Sequence, residues 1–268
     1  MPVSLNIQSV SILGCGWYGL ALARHLVKKG YHVKGSTTST NRFSEFEDQG
    51  IIPFKAIFEA DAELYDPEFL RCHSLIISIP PKRSAGEVDS YAPKVARIRA
   101  AVIKANVKKV IFVSSTSVYG DHNQHVDEGT EPNPDTASGK AVLQAEHILQ
   151  DQSDFQLTIL RFGGLFGPGR DPARFFSGKK AIPNGRAPVN MLHLDDCIGV
   201  TEAVIEKDAF GHMFNVCSDS HPEKKDFYTR AAQTSGMEPP EFIPERKDWK
   251  IVSSVNMKNI LNYQVREI

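Results

Sequence analysis

The sequence predicts a doubly wound α/β fold built on a parallel sheet. Apolar runs of strand length alternate with stretches of helical periodicity, the rhythm of strand–helix–strand units. The runs are apolar on both faces, as strands buried between two helical layers are. A glycine-rich turn joins the first run to the first helix. With 268 residues, 41% of them hydrophobic, the chain has enough apolar material for a sizeable core.

The elements follow in order. Residues 10–13 (VSIL) read as a buried strand and 14–19 as a turn. Leu20, Ala21, Ala23, Leu26 and Val27 recur at helical spacing; Lys28 and Lys29 suit the last turn and Gly30 stops it. YHVKGS (31–36) reads as a second strand. LIISIP (75–80) and VIFVSS (110–115) suit central parallel strands, with helical spacing over 91–106 between them. Residues 137–150 read as a helix and 157–162 as a strand. From 163 the glycine- and proline-rich GGLFGPGRDPARFFSGKKAIPNGRAP reads as long ordered loops. A helix over 195–207, a strand over 212–218 and a helix over 225–235 follow. The division this suggests is 1–162 for the sheet-forming domain. Residues 163–268 are then mainly a smaller C-terminal substrate lobe, with some elements returning to the sheet.

Composition excludes several functions. The formal net charge of −1 gives no basic excess for nucleic acid or an anionic membrane. No run approaches the roughly 18 apolar residues of a membrane span. The first residues lack a basic segment followed by an apolar core, so no signal peptide is expected and a cytoplasmic location is. The four cysteines are scattered without a C-x-x-C pair, which suits reduced core thiols. The histidines form no metal-binding pattern, and no metal is expected.

Gly14-Cys15-Gly16-Trp17-Tyr18-Gly19 fits G-x-G-x-x-G between a predicted strand and a predicted helix. The first glycine makes the tight turn, the second admits a pyrophosphate and the third lets helix and strand pack, with the helix N-terminus facing the phosphates. A dinucleotide is therefore the expected cofactor. NAD sites carry an acid about 20 residues further on, against the ribose 2′-hydroxyl. Here VKGSTTSTNR holds none, and the first is Glu45. Ser36, Thr37, Thr38 and Ser39 can donate to a 2′-phosphate and Arg42 can pair with it, so NADP is expected over NAD.

Taken with the glycine loop, VIFVSSTSVYGD, LRFGGLFGPG and NMLHLDDC give the chain a resemblance to the extended short-chain dehydrogenase/reductases, of NAD-dependent epimerase/dehydratase type. The resemblance runs from residue 10 to about 263. It implies a Rossmann-type fold, a nicotinamide cofactor and a small-molecule substrate such as a sugar or sugar nucleotide. It also implies that Ser115, five residues before Gly120, bonds the reacting oxygen, and that Lys140 of a Tyr-x-x-x-Lys pair holds the nicotinamide ribose. Thr136 stands where that pair has its tyrosine. Tyrosine's pKa, near 10, is lowered by a neighbouring ammonium. Threonine's hydroxyl is a far weaker acid, so Thr136 orients a ligand and proton transfer needs another group.

Tyr119, His122 and Asp135 are the candidate substitutes, although Tyr119 suits a structural role, His122 an exposed loop and Asp135 a helix cap. By the same resemblance Ile79, Pro80, Pro81, Ser114, Gly163 and Gly164 lie on the cofactor side. Cys15, Trp17 and Tyr18 lie within its loop. Asn190 is a candidate to face substrate, and His193, Asp195 and Asp196 to tie the small lobe to the core. Arg170, Arg174, Lys179, Lys180 and Arg186 can meet an anionic substrate or remain solvated. Family dimers use the Lys140 helix, whose Ala141, Val142, Ala145 and Ile148 suit either that or core packing, so monomer and homodimer both stand. Two functions remain: an NADP-dependent oxidoreductase or epimerase with a rearranged acid–base, and a non-catalytic NADP-binding sensor or regulator.

Overall fold

The computed structural model describes residues 8–81 and 88–268; the segment read for a signal peptide lies largely outside them. Its elements are β1 (Ser9–Leu13), α1 (Trp17–Lys28), β2 (His32–Thr37), α2 (Phe43–Glu47), β3 (Ile52–Phe58), β4 (Glu63–Tyr65), β5 (Ser74–Ile77), α3 (Tyr91–Lys104), β6 (Lys109–Ser115), β7 (Gln124–Val126), α4 (Ala137–Gln150) and β8 (Gln156–Phe162). The later ones are β9 (Gly164–Phe166), α5 (Ala173–Phe176), β10 (Met191–His193), α6 (Leu194–Glu206), β11 (Met213–Val216), α7 (Lys224–Thr234), β12 (Lys250–Val252) and α8 (Val255–Leu261).

The expected doubly wound sheet is present, with eight strands in the order β11-β8-β6-β5-β1-β2-β3-β4. β1 lies between β2 and β5, and its pairings with both are parallel, as are β2–β3 and β5–β6. β4 closes the edge antiparallel to β3. β1, β5 and β6 carry the core: Val10, Ile12, Leu75, Ile76, Ile77, Ile111 and Phe112 are fully buried. Each such side chain contributes about 1.5–3 kcal/mol by leaving water. β5 stops at Ile77, three residues before the expected end, because Ser78 turns toward the glycine loop and Pro80 and Pro81 have no N–H to extend a ladder.

The chain packs as two compact units. One takes the chain up to Ser114 with Ala137–Leu160 and Val204–His212; the other takes Ser115–Thr136, Arg161–Ala203 and Met213–Ile268. In the first, α3 and α4 pack side by side, with Arg99 donating to the Ile148 and Asp151 carbonyls. The second holds two small parallel pairs, β9 with β10 and β7 with β12, and a run of edge-to-face rings from Phe166 through Phe227 and Tyr228 to Phe176. Among the described residues no helix is long and apolar enough to cross a membrane.

Candidate functional site

The glycine loop is built by β1 stopping at Leu13 and the chain reversing into α1. Gly14 turns with φ +103°, its N–H donates to Ser36 Oγ at 2.8 Å, and its carbonyl accepts from Ser78 Oγ at 2.7 Å. A Cβ on Gly14 would stand 2.7 Å from Ile79 Cγ2, and one on Gly19 only 2.2 Å from the Gly14 oxygen. Among the described residues, a Cβ on Gly16 would meet nothing within 4 Å. Gly16 precedes α1, no side chain caps that helix, and its first turn carries no acid. The positive end of a 12-residue helix thus faces a cradle without a side chain, which fits a pyrophosphate. Cys15 is buried beside this turn, and burial pushes its thiol up to about 12, so it packs rather than reacts. Trp17 is half-buried and Tyr18 buried at the helix start.

The end of β2 holds the residues expected at the 2′-position. Ser36 is buried, with its hydroxyl turned onto the Gly14 amide, so it braces the loop. Thr37 Oγ1 accepts from the Ser39 amide, Ser39 Oγ accepts from the Asn41 amide, and Thr38 is exposed. Arg42 Nη1 donates to the Cys15 carbonyl at 3.1 Å, and its Nε donates to Glu45 Oε2 at 2.9 Å. This guanidinium is therefore tied directly to the glycine loop.

Beyond β5, Ile79 touches the loop, and its carbonyl accepts from Tyr91 Oη at 2.8 Å, which fixes the approach to Pro80 and Pro81. Ser114, expected at the cofactor, is buried and gives its hydroxyl to Glu146 Oε1 at 2.5 Å. Glu146 is a fully buried acid of α4. Its role was not legible, because Ser114 is 32 residues away in the chain. Lys140 lies on the exposed stripe of α4 with Gln144 and His147, while Val142, Glu146 and Leu149 face inward.

The other unit holds Ser115 and Thr136. Ser115 Oγ accepts from the Ser117 amide at 3.1 Å, capping a 3-10 turn over Thr116–Val118, and Thr136 is exposed. Of the substitutes for tyrosine, Tyr119 is buried: its oxygen accepts from Arg161 Nη1 at 2.6 Å and lies 2.8 Å from the Asp127 carbonyl and 3.1 Å from Asn215 Oδ1. Burial raises its pKa, with Arg161 opposing. His122 is exposed, with Nε2 2.9 Å from the Asn133 carbonyl. Asp135 accepts the Asp121 amide at 3.0 Å, and Asp121 pairs with Lys250 at 2.6 Å, a partner that sequence distance concealed.

Gly163 and Gly164 stand close against Asn190, where a Cβ on Gly163 would lie 2.8 Å from its carbonyl oxygen. The Asn190 side chain spans β12, donating to the Lys250 carbonyl and accepting from the Val252 amide, both at 2.9 Å. His193 packs on Phe166 and lies 3.4 Å from Asp195; Asp196 is buried and accepts from Arg266 Nε at 2.6 Å. Among the loop cations, Lys180 pairs with Glu241, Arg186 with Glu223, and Lys179 donates to the Phe175 carbonyl. Arg174 is exposed and Arg170 is half-buried.

A family profile described as NAD(P)H-binding matches residues 14–188. Protein YeeZ of Escherichia coli (strain K12) is 35% identical over 240 residues, covering 88% of this chain and 87% of that protein. The 3-diazoavenalumate denitrifying reductase of a Streptomyces species is 33% identical over 116 residues, 40% of this chain and 38% of that enzyme. A solved structure, UDP-glucuronic acid 4-epimerase from Bacillus cereus in complex with NAD, matches with a TM-score of 0.79 at 18% identity, covering 96% of this chain and 92% of that one. At such identity the likeness speaks for fold alone. The profile and the full-length relative together show that the chain belongs to the NAD(P)H-binding family, with the Rossmann fold of the extended short-chain dehydrogenase/reductases.

Proposed function

We propose that this protein is an NADP(H)-dependent oxidoreductase or epimerase acting on a small molecule, with a sugar or sugar nucleotide as the leading class, through a site in which Thr136 takes the tyrosine position. The observation that carries the cofactor half is the open cradle at Gly16 between two glycines that leave no room for a Cβ. Arg42 on the Cys15 carbonyl supports NADP over NAD. The bound cofactor would supply or accept hydride. On this reading Ser115 donates to the reacting oxygen, Thr136 orients it and Lys140 offers charge to the nicotinamide ribose. Tyr119 is committed to its buried network, so it does not replace the tyrosine. His122, an exposed imidazole, is the side chain of that loop suited to carry the proton.

Thr136 itself favours a second reading, a non-catalytic sensor of NADP state. The two part in one experiment, in which NADPH consumption over a panel of carbonyl compounds and epimer formation from sugar nucleotides, which consumes no net NADPH, are both followed with wild type and Thr136→Tyr. The enzyme reading expects turnover of at least one compound and a gain of about 100-fold or more in the variant, the scale of a restored general acid. Tight NADPH binding by both proteins with no turnover across the panel leaves the sensor.

A further inference from the structure

We infer that Glu45 sets cofactor specificity: its carboxylate partly neutralises Arg42, so discrimination at the 2′-position belongs to the Arg42–Glu45 pair and not to Arg42 alone. The inference rests on the reading that this loop takes NADP(H). Arg42 is held from three sides, by Glu45 Oε2 at 2.9 Å, by the Cys15 carbonyl at 3.1 Å and by the Phe46 ring 5.2 Å below its guanidinium. Among the described residues, two of its five N–H groups are used in this way, which leaves three for a ligand. The Cys15 bond fixes the group at the edge of the pyrophosphate cradle.

Glu45 is shared. Arg24 of α1 reaches its other oxygen, Oε1, at 3.7 Å. Two cations around one carboxylate leave a net charge of +1, with Arg42 and Glu45 three positions apart and Arg24 18 and 21 positions before them. A 2′-phosphate docking on Arg42 enters the field of Glu45 as well, whereas a 2′-hydroxyl carries no charge to be repelled. The carboxylate therefore lowers affinity for the phosphorylated dinucleotide more than for the other, whose charge is confined to the pyrophosphate that both share. Its absence from the usual position near the end of β2 hid it from the spacing rule, but the fold returns it through α2.

The test measures NADPH and NADH dissociation constants by quenching of tryptophan fluorescence in wild type, Glu45→Gln, Arg24→Gln and Arg42→Gln, with thermal melts as a folding control. Glu45→Gln keeps an oxygen for Arg42 Nε and removes only the charge. It is expected to tighten NADPH about tenfold and to leave NADH within about twofold, the gain shrinking in high salt as an exposed charge effect must. Arg24→Gln, which frees Glu45 to act more strongly, moves NADPH the other way by a few-fold. An unchanged NADPH-to-NADH ratio in both variants, or equal changes for both cofactors, overturns the inference. If wild type shows no NADPH preference, or Arg42→Gln leaves it intact, the NADP reading itself falls.

Discussion

The three loop glycines answer to different constraints, and substitution separates them. Gly14→Ala places a Cβ at φ +103° and 2.7 Å from Ile79, and Gly19→Ala drives one into the Gly14 carbonyl oxygen. Each is expected to cost about 1–3 kcal/mol of stability in a denaturant titration. Gly16→Ala meets open space, so its melt should match wild type while its dinucleotide affinity falls tenfold or more. Equal melting losses for all three would contradict this assignment. Tyr119→Phe removes the hydroxyl shared by Arg161, Asp127 and Asn215 and should cost about 1–3 kcal/mol, with NADPH affinity unchanged. The glycine spacing was legible because it is local and stereochemically narrow. The bracing of Gly14 by Ser36 and Ser78 was not, since Ser78 lies 64 residues away and serine is common in any loop.

At the scale of elements, β1, β5, β6 and β8 announced themselves through continuous apolar runs, and α1 and α4 through their periodicity. β3 did not: Pro53 and Lys55 interrupt its apolar residues, and near the sheet edge it is only partly buried. The short pairs β7–β12 and β9–β10 are three residues per strand, below the length at which a period can be read. Sequence distance, 32 residues, hid the tie between β6 and α4. Ser114→Ala withdraws a donor from the buried Glu146 carboxylate and should cost about 1–3 kcal/mol by urea unfolding. A loss no greater than that of Gln144→Ala, on the exposed stripe of the same helix, would show the pair to be incidental.

For the whole molecule, segments of the chain interleave between the two compact units, an arrangement that a linear pattern does not display. Burial of titratable groups gives the fold a pH signature. Desolvation holds the His221 pKa below its ordinary 6.5, so its neutral form favours the folded state. Its contribution is present above about pH 6.5 and is lost as pH falls. The Ser235 hydroxyl holds the Asp171 carboxyl below the usual range, which acts in the same direction at lower pH. Urea midpoints should therefore fall from pH 8 to pH 5, less steeply for His221→Asn. Burial also pushes the Cys15 and Cys217 thiols up to about 12, so alkylating reagents should reach them only on unfolding. The central claim is that the loop around Gly16 and Arg42 selects a phosphorylated dinucleotide. Calorimetric titration of the wild-type protein with NADPH and then NADH tests it most directly. The account predicts saturable one-site binding of NADPH at least tenfold tighter than NADH; equal affinities would contradict the role of Arg42, and binding of neither would contradict the site.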